Sequence, residues 1–344
     1  SIMLSHAEAR LMLDGAFHAA LHQQEALMGA PYVCVPTLDV VEDDAFWALI
    51  QAEGDGFTLR VSTATAMAVT TLMQGAADDP ALAGLDTSET PHVALTWLML
   101  HELEHVDMGH FDLAGRSAIT ETDQARRFAL VQPAEPAMPE TWRSGVAYAL
   151  DRCLELQADH NAIELILDSY STDGWDELLA RVAAISAMMI LIEKHDEGSP
   201  HEAGASHPKA ATRMFQLLGH VAEMWQLPER MRALQEGRDP DPARMPDHDE
   251  IAAFQQRVVI PAFTIAKGWA ERANARSINA DLGTGEAFFT DIGRAQLIEN
   301  GKEASLQTTG AQEWRALLAA NQLILEQLPE LGVTAEEVSG QKEH

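Results

Sequence analysis

Residues 95–105 read Leu95-Thr96-Trp97-Leu98-Met99-Leu100-His101-Glu102-Leu103-Glu104-His105, an apolar run that ends in two histidines and two glutamates. Pro91 suits the first turn of a helix, and Glu89 or Thr90 can cap it. The apolar content continues to about residue 113, so the stretch reads as one long helix over 91–113. Residues four apart on a helix share a face, which lets His101 and His105 reach one metal ion. Glu102 lies about 100° round the helix from His101. From there its carboxylate can reach a water on that metal without displacing it. A zinc ion lowers the pKa of such a water toward about 7, and the glutamate can then take its proton. Histidines and acids inside an apolar helix need partners, because isolated buried polar groups cost about 1–3 kcal/mol each. A solvent-facing stripe on an amphipathic helix is the bland alternative, and Trp97-Leu98-Met99-Leu100 fits it poorly.

The third protein ligand must come from elsewhere. Met108 and Phe111 stand where the extended metzincin motif would place glycine and histidine, and the reversed H-x-x-E-H order is absent. The remaining common solution is a glutamate from a later helix. The segment 141–169 reads as a helix and offers Glu155 and Asp159, four apart on one face. Glu155 would bind the metal, and Asp159 would hold a histidine's other nitrogen. In so acidic a chain the spacing alone carries little. Its weight comes from the apolar setting (Tyr148, Leu150, Leu154, Leu156, Ile163, Leu165) and its place after the histidine pair. Ser206-His207-Pro208, followed by Arg213, adds a histidine just before a helix start and an arginine that could face developing negative charge. Taken bare, both residues read first as structural.

Together, His101-Glu102-x-x-His105, His110, Glu155-x-x-Ala158-Asp159 and His207-Pro208 with Arg213 resemble the gluzincin metallopeptidases. Within these they are most similar to the family of the membrane heat-shock protease HtpX and the CAAX prenyl proteases. The resemblance implies a zincin-like metallopeptidase fold. It also implies one zinc ion per chain held by His101, His105 and Glu155, with Glu102 as catalytic base. His207 and Arg213 would be further catalytic residues at the oxyanion. The family carries threonine where this chain has Ser206. The likeness spans about residues 92–215 and leaves the N-terminal 90 and C-terminal 130 uncovered. Without a membrane span, an intramembrane or prenylated substrate is not expected, and the soluble Lit-like phage-exclusion proteases are the better comparison.

The rest of the 344 residues places this motif in a mainly α protein with a small N-terminal β element. Helices are expected over 6–28 (with Leu11, Phe17, Leu21 and Leu27 on one face), 43–52, 63–74, 174–196 and from Pro208 to about 225. Strands are expected at Tyr32–Val35 and Phe57–Val61, the latter after the turn residues Gly54-Asp55-Gly56. Residues 75–91 and 131–140 read as connections, 197–206 as a candidate lid, and 237–249 as a linker. The domain reading is 1–90 completing the zincin fold, 91–236 as catalytic core, and 250–344 as a C-terminal helical region. The longest apolar run, Val182–Ile192, is bounded by Arg181 and Glu193 and falls short of the ~20 residues that cross a bilayer. A net charge of −30 argues against a surface that attracts nucleic acid or anionic lipid as a whole, with Arg126-Arg127 a small basic patch. Two cysteines cannot build a disulfide scaffold and fit a reducing compartment. The opening residues lack a basic start before a clean apolar stretch, so a cytoplasmic location is expected, with a removed signal peptide left open.

The function these readings favour is zinc-dependent endoproteolysis of a protein or peptide substrate, with no nucleic-acid partner and no membrane insertion. A regulatory partner is compatible with it, and oligomeric state is not legible. One alternative is a catalytically silent or latent zincin-fold binding protein, its cleft covered by the C-terminal region. Another is a di-iron carboxylate bundle, which needs a second E-x-x-H. The only other match, Glu89-Thr90-Pro91-His92, straddles a helix start.

Overall fold

Ser5 and Glu8 form a reciprocal capping box that starts α1 (His6–Met28), and Gly29 ends it in the left-handed conformation at φ 74°. In the computed structural model, which describes residues 3–82, 84–115, 118–121, 147–196 and 207–327, α1 buries Ala9, Leu13, Ala16, Phe17, Ala20 and Gln24. This face differs from the expected one: Leu11 is 73% exposed and Leu27 40% exposed. The alanines let α1 approach its neighbour closely, so small residues rather than leucines set the face.

Three strands follow: β1 (Thr37–Val41), β2 (Ala48–Glu53) and β3 (Gly56–Ser62). The expected strand at 32–35 is absent, because Pro31 and Pro36 hold that stretch off the sheet and leave Val33 97% exposed. The expected helix over 43–52 is instead β2. Ala48, Leu49, Ile50 and Gln51 are all buried, so this inner strand shows no alternation to distinguish it from a helix. Gly54, at φ 59°, turns β2 into β3 as an antiparallel hairpin. β1 runs parallel to β3, and the sheet order is β1-β3-β2-β4.

α2 (Thr63–Met73) leads through two short 3-10 turns to α3 (Thr90–Asp107). Every residue from Ala94 to His105 is buried. A helix buried all round lies at the centre of a fold, and α3 packs between α1, α5 (Ala147–Ile166) and α6 (Trp175–Asp196). Truncating one of its fully buried leucines, such as Leu95, would cost about 2–5 kcal/mol. The expected 91–113 helix does not run through. It breaks at Met108-Gly109, where Gly109 takes φ 70°, and restarts as α4 (His110–Ala114). The chain then forms the edge strand β4 (Ala118–Thr120), antiparallel to β2 with Ile119 opposite Ile50.

After α5 and α6 come α7 (Ala210–Ala222), α8 (Leu227–Glu236), α9 (His248–Phe254), α10 (Ile260–Arg272), α11 (Arg276–Leu282), α12 (Gly285–Arg294) and α13 (Thr309–Gln327). One hydrophobic cluster joins Leu98 and Ile185 to Phe254, Ile278 and Leu306, so the C-terminal helices share the core of the histidine helix. α13 packs on both α5 and α7. Among the described residues no helix is long and apolar enough to cross a membrane, and Val182–Ile192 is buried core of α6. Cys34 and Cys153 are both free thiols. Arg126-Arg127, the connection 131–140, the first residues of the 141–169 segment and the stretch 197–206 with Ser206 lie outside the described residues.

Candidate metal centre

His101 and His105 stand one turn apart on α3 and are fully buried. Their Nε2 atoms lie 3.2 Å from each other. Glu155, from the middle of α5, puts one carboxylate oxygen 3.0 Å from His101 Nε2 and the other 3.3 Å from His105 Nε2. A fourth side chain that the sequence did not reveal joins them. Glu121, the residue after β4, is fully buried, and its Oε1 sits 2.8 Å from His101 Nε2. Its backbone N–H donates to Ala48 O at 2.9 Å, which extends the β2–β4 pairing by one residue and aims the side chain into the cluster.

One ligand atom from each of His101, His105, Glu121 and Glu155 lies within 4.8 Å of the other three. In a tetrahedral zinc site with bonds of about 2.0–2.1 Å, the ligand atoms are about 3.3 Å apart. The contacts of 2.8, 3.0, 3.2 and 3.3 Å therefore fit a small cation at the centre. Two imidazoles with two carboxylates suit a borderline divalent ion better than calcium or magnesium. The cluster holds more acceptors than protons, and Glu121 Oε2 is buried without a hydrogen-bond donor. A cation would relieve that deficit.

The outer nitrogens of the two histidines are held separately. His101 Nδ1 lies 2.8 Å from Asp159 Oδ1, one turn beyond Glu155 on α5. Arg213, on α7, donates to both oxygens of Asp159 at 2.7 Å and lies over Trp97, 5.8 Å from the ring centroid. His105 Nδ1 lies 2.8 Å from His110 Nδ1, a contact made by the Gly109 break, which folds α4 back against α3. His110 Nε2 meets Gln157 Oε1 at 3.0 Å, and Gln157 Nε2 donates to Asn321 Oδ1 of α13 at 2.6 Å. The chain has one consistent polarity. A histidine that binds through Nε2 carries its proton on Nδ1, donates to His110, and leaves His110 to donate to Gln157.

Electrostatics divide the acids. Burial disfavours charge on Glu102, the adjacent Glu121 repels it, and its pKa rises well above the usual carboxylate value. Both Glu102 oxygens are buried and meet no donor; the neighbour they face is the Glu121 carboxylate, with which a proton can be shared. Burial and Glu155 also oppose charge on Glu121, but His101 outweighs them and brings its pKa down to about 2. Burial likewise works against Glu155, and His105, His207 and His101 hold it well below the ordinary range. Burial works against the charged His101 ring, yet Glu121, Glu155 and Asp159 raise its pKa well above the ordinary histidine value. The site as a whole is a buried locus that favours positive charge.

Of the sequence-derived residues, His101, His105, Glu155 and Asp159 come together as one unit with Glu102 beside them. His207, 7% exposed, places Nε2 3.8 Å from Glu121 Oε2 and 3.9 Å from Glu155 Oε1. Arg213 is buried against Asp159, one step behind His101. Glu89 and His92 stay at the start of α3, apart from the cluster, and no second E-x-x-H joins it among the described residues. A buried histidine pair with a distal glutamate, and a glutamate beside it outside the ligand set, matches the H-E-x-x-H-plus-Glu geometry of gluzincin-type metalloendopeptidases. In comparisons with known proteins, no family model, no curated protein and no solved structure matches the chain.

Proposed function

We propose that this chain is a zinc-dependent metalloendopeptidase acting on protein or peptide substrates. One observation carries the reading: the ligand atoms of His101, His105 and Glu155 converge to tetrahedral-edge distances beside Glu102, whose oxygens are buried and unpartnered. Three of these ligands would hold one zinc ion per chain, with Glu121 as a fourth contact. When bound, that ion supplies positive charge that polarises a scissile carbonyl and acidifies the attacking water. Glu102 takes the water's proton and passes it to the leaving amine. Asp159 keeps the His101 ring in the tautomer that leaves Nε2 bare, and Arg213 acts through Asp159 as a positioning residue. His207, at the rim of the cluster, faces the oxyanion.

A finer identity is also proposed, on the residue pattern alone. His101-Glu102-x-x-His105, Glu155-x-x-Ala158-Asp159 and His207-Pro208 support a relationship to the HtpX and CAAX protease group. A Lit-like member of that group and a cytoplasmic location are part of the same proposal. In this reading 1–90 completes the catalytic fold around 91–236, and 250–344 braces it.

A second reading is favoured by Glu121. Its carboxylate takes the place that a water needs, so this conformation is that of a latent zincin, opened when Glu121 withdraws. Elemental analysis combined with hydrolysis of an unfolded protein substrate tests the proposal. Zinc-loaded protein should cut it, and Glu102→Gln should keep the zinc and lose the cutting. A zinc-loaded Glu102→Gln variant that cuts at the parent rate overturns the mechanism.

A further inference from the structure

α5 carries a second set of metal-ligating side chains on the side away from the first. Asp159 faces inward to His101, whereas the next residue, His160, faces outward toward α7. One turn on, Glu164 places Oε1 2.9 Å from His160 Nε2. α7 brings His220 against them, its ring edge-on to His160 with centroids 5.7 Å apart. A ligand atom from each of the three lies within 4.8 Å of the other two. An i, i+4 ion pair accounts for His160 and Glu164 by itself. It does not account for His220, whose Nε2 is buried and meets no hydrogen-bond partner. Such an atom is costly unless something binds it.

His160 and His220 open on a cavity of about 300 Å³, bordered by Gln216, Gly219, Ile292 and Trp314. Glu223, three residues beyond His220 on the same helical side, also lines it. The cavity gives room for one or two waters or a further carboxylate to complete a coordination shell.

We propose that His160, Glu164 and His220 form a second site for an imidazole-preferring divalent ion such as zinc, nickel or copper. Two imidazoles and one carboxylate select that class over magnesium and calcium. Its place in the fold gives it a purpose. Arg213 and His220 lie two turns apart on α7, and they meet Asp159 and His160 of α5. The Arg213–Asp159 ion pair ties the start of α7 to α5, and the ion would tie the end of α7 to the same helix at His160 and Glu164. The helices so joined carry Glu155, Asp159 and Arg213, but the site shares no ligand with the first centre and does not depend on the peptidase reading.

The test is zinc stoichiometry by native mass spectrometry, after chelator treatment and re-addition of zinc. The parent protein should take up two equivalents. His160→Ala/His220→Ala should take up one, and His101→Ala/His105→Ala should also take up one. Glu164→Gln, a change at an exposed position that leaves the fold intact, should weaken the second equivalent at least tenfold. Should the parent bind one equivalent that His160→Ala/His220→Ala keeps, or that variant still bind two, the proposal is overturned; a single equivalent lost only in His160→Ala/His220→Ala would uphold it and overturn the first centre instead. Loss of zinc uptake only in the His101→Ala/His105→Ala variant would also overturn it, while leaving the first centre standing.

Discussion

Replacing Glu102 with glutamine exchanges one oxygen for an amide nitrogen and separates chemistry from metal binding. Glu102 is outside the ligand set, so zinc affinity should be unchanged within about threefold. Removing a general base costs about 10²–10⁴ in turnover, or about 3–5 kcal/mol of transition-state stabilisation. The effect on stability has the opposite sign. Both carboxylate oxygens are buried without a donor, and Glu121 repels them. A raised carboxylate pKa in the folded state means stability falls as pH rises above the ordinary value of about 4.3, because the unfolded chain then loses a proton that folding must take back up. Glutamine does not titrate, and its amide can donate to Glu121. The relief is of the order of an unsatisfied buried group, about 1–3 kcal/mol, or roughly 1–4 °C in Tm at neutral pH for a chain of this length. The assays are hydrolysis of an unfolded protein with the zinc-loaded variant, and thermal denaturation of chelator-treated protein. Full activity would refute the assigned base. A Tm below the parent's would refute the electrostatic account of this pocket.

Glu121→Gln should raise turnover about tenfold or more if Glu121 holds the water's place, with zinc binding weakened in chelator competition; lower turnover would remove the latent reading. His110→Ala should weaken zinc binding about 10–100-fold while His110→Asn keeps more of it, because the His105 tautomer depends on an acceptor there; equal affinities across the three proteins would break the His105–His110–Gln157 relay. Burial pushes the Cys153 thiol up to about 12, so a thiol reagent at pH 8 should titrate only Cys34 in the folded protein and both cysteines in denaturant. Rapid labelling of two thiols in the folded chain would contradict the packing of α5 against α13.

The catalytic helix was legible because its chemistry and its burial share one stretch of sequence. Two histidines and a glutamate followed an apolar run, and only a buried helix accommodates both. Glu155 and Asp159 were legible from their spacing within the apolar part of α5. Glu121 was not, because it follows a three-residue edge strand with no periodicity and is one acid among 53 acidic residues. The only signal that could have found it is the β4–β2 pairing, which is tertiary. His110 is visible as a residue but not in its role, since that depends on the left-handed turn at Gly109, which the apolar pattern through residue 113 does not signal. β2 was misread for a general reason: a strand covered on both faces presents an unbroken apolar run, and period alone does not separate that from a helix. The α1 face was misplaced because alanines carry the close contact with α3, while Leu11 and Leu27 face outward.

The central claim is a divalent ion held between α3 and α5. Anomalous X-ray diffraction across the zinc edge, from crystals grown with zinc, tests it most directly. The account predicts an anomalous peak about 2.0–2.2 Å from His101 Nε2, His105 Nε2 and a Glu155 oxygen. Density that places those three side chains around no ion, or a peak bound elsewhere only, would contradict it.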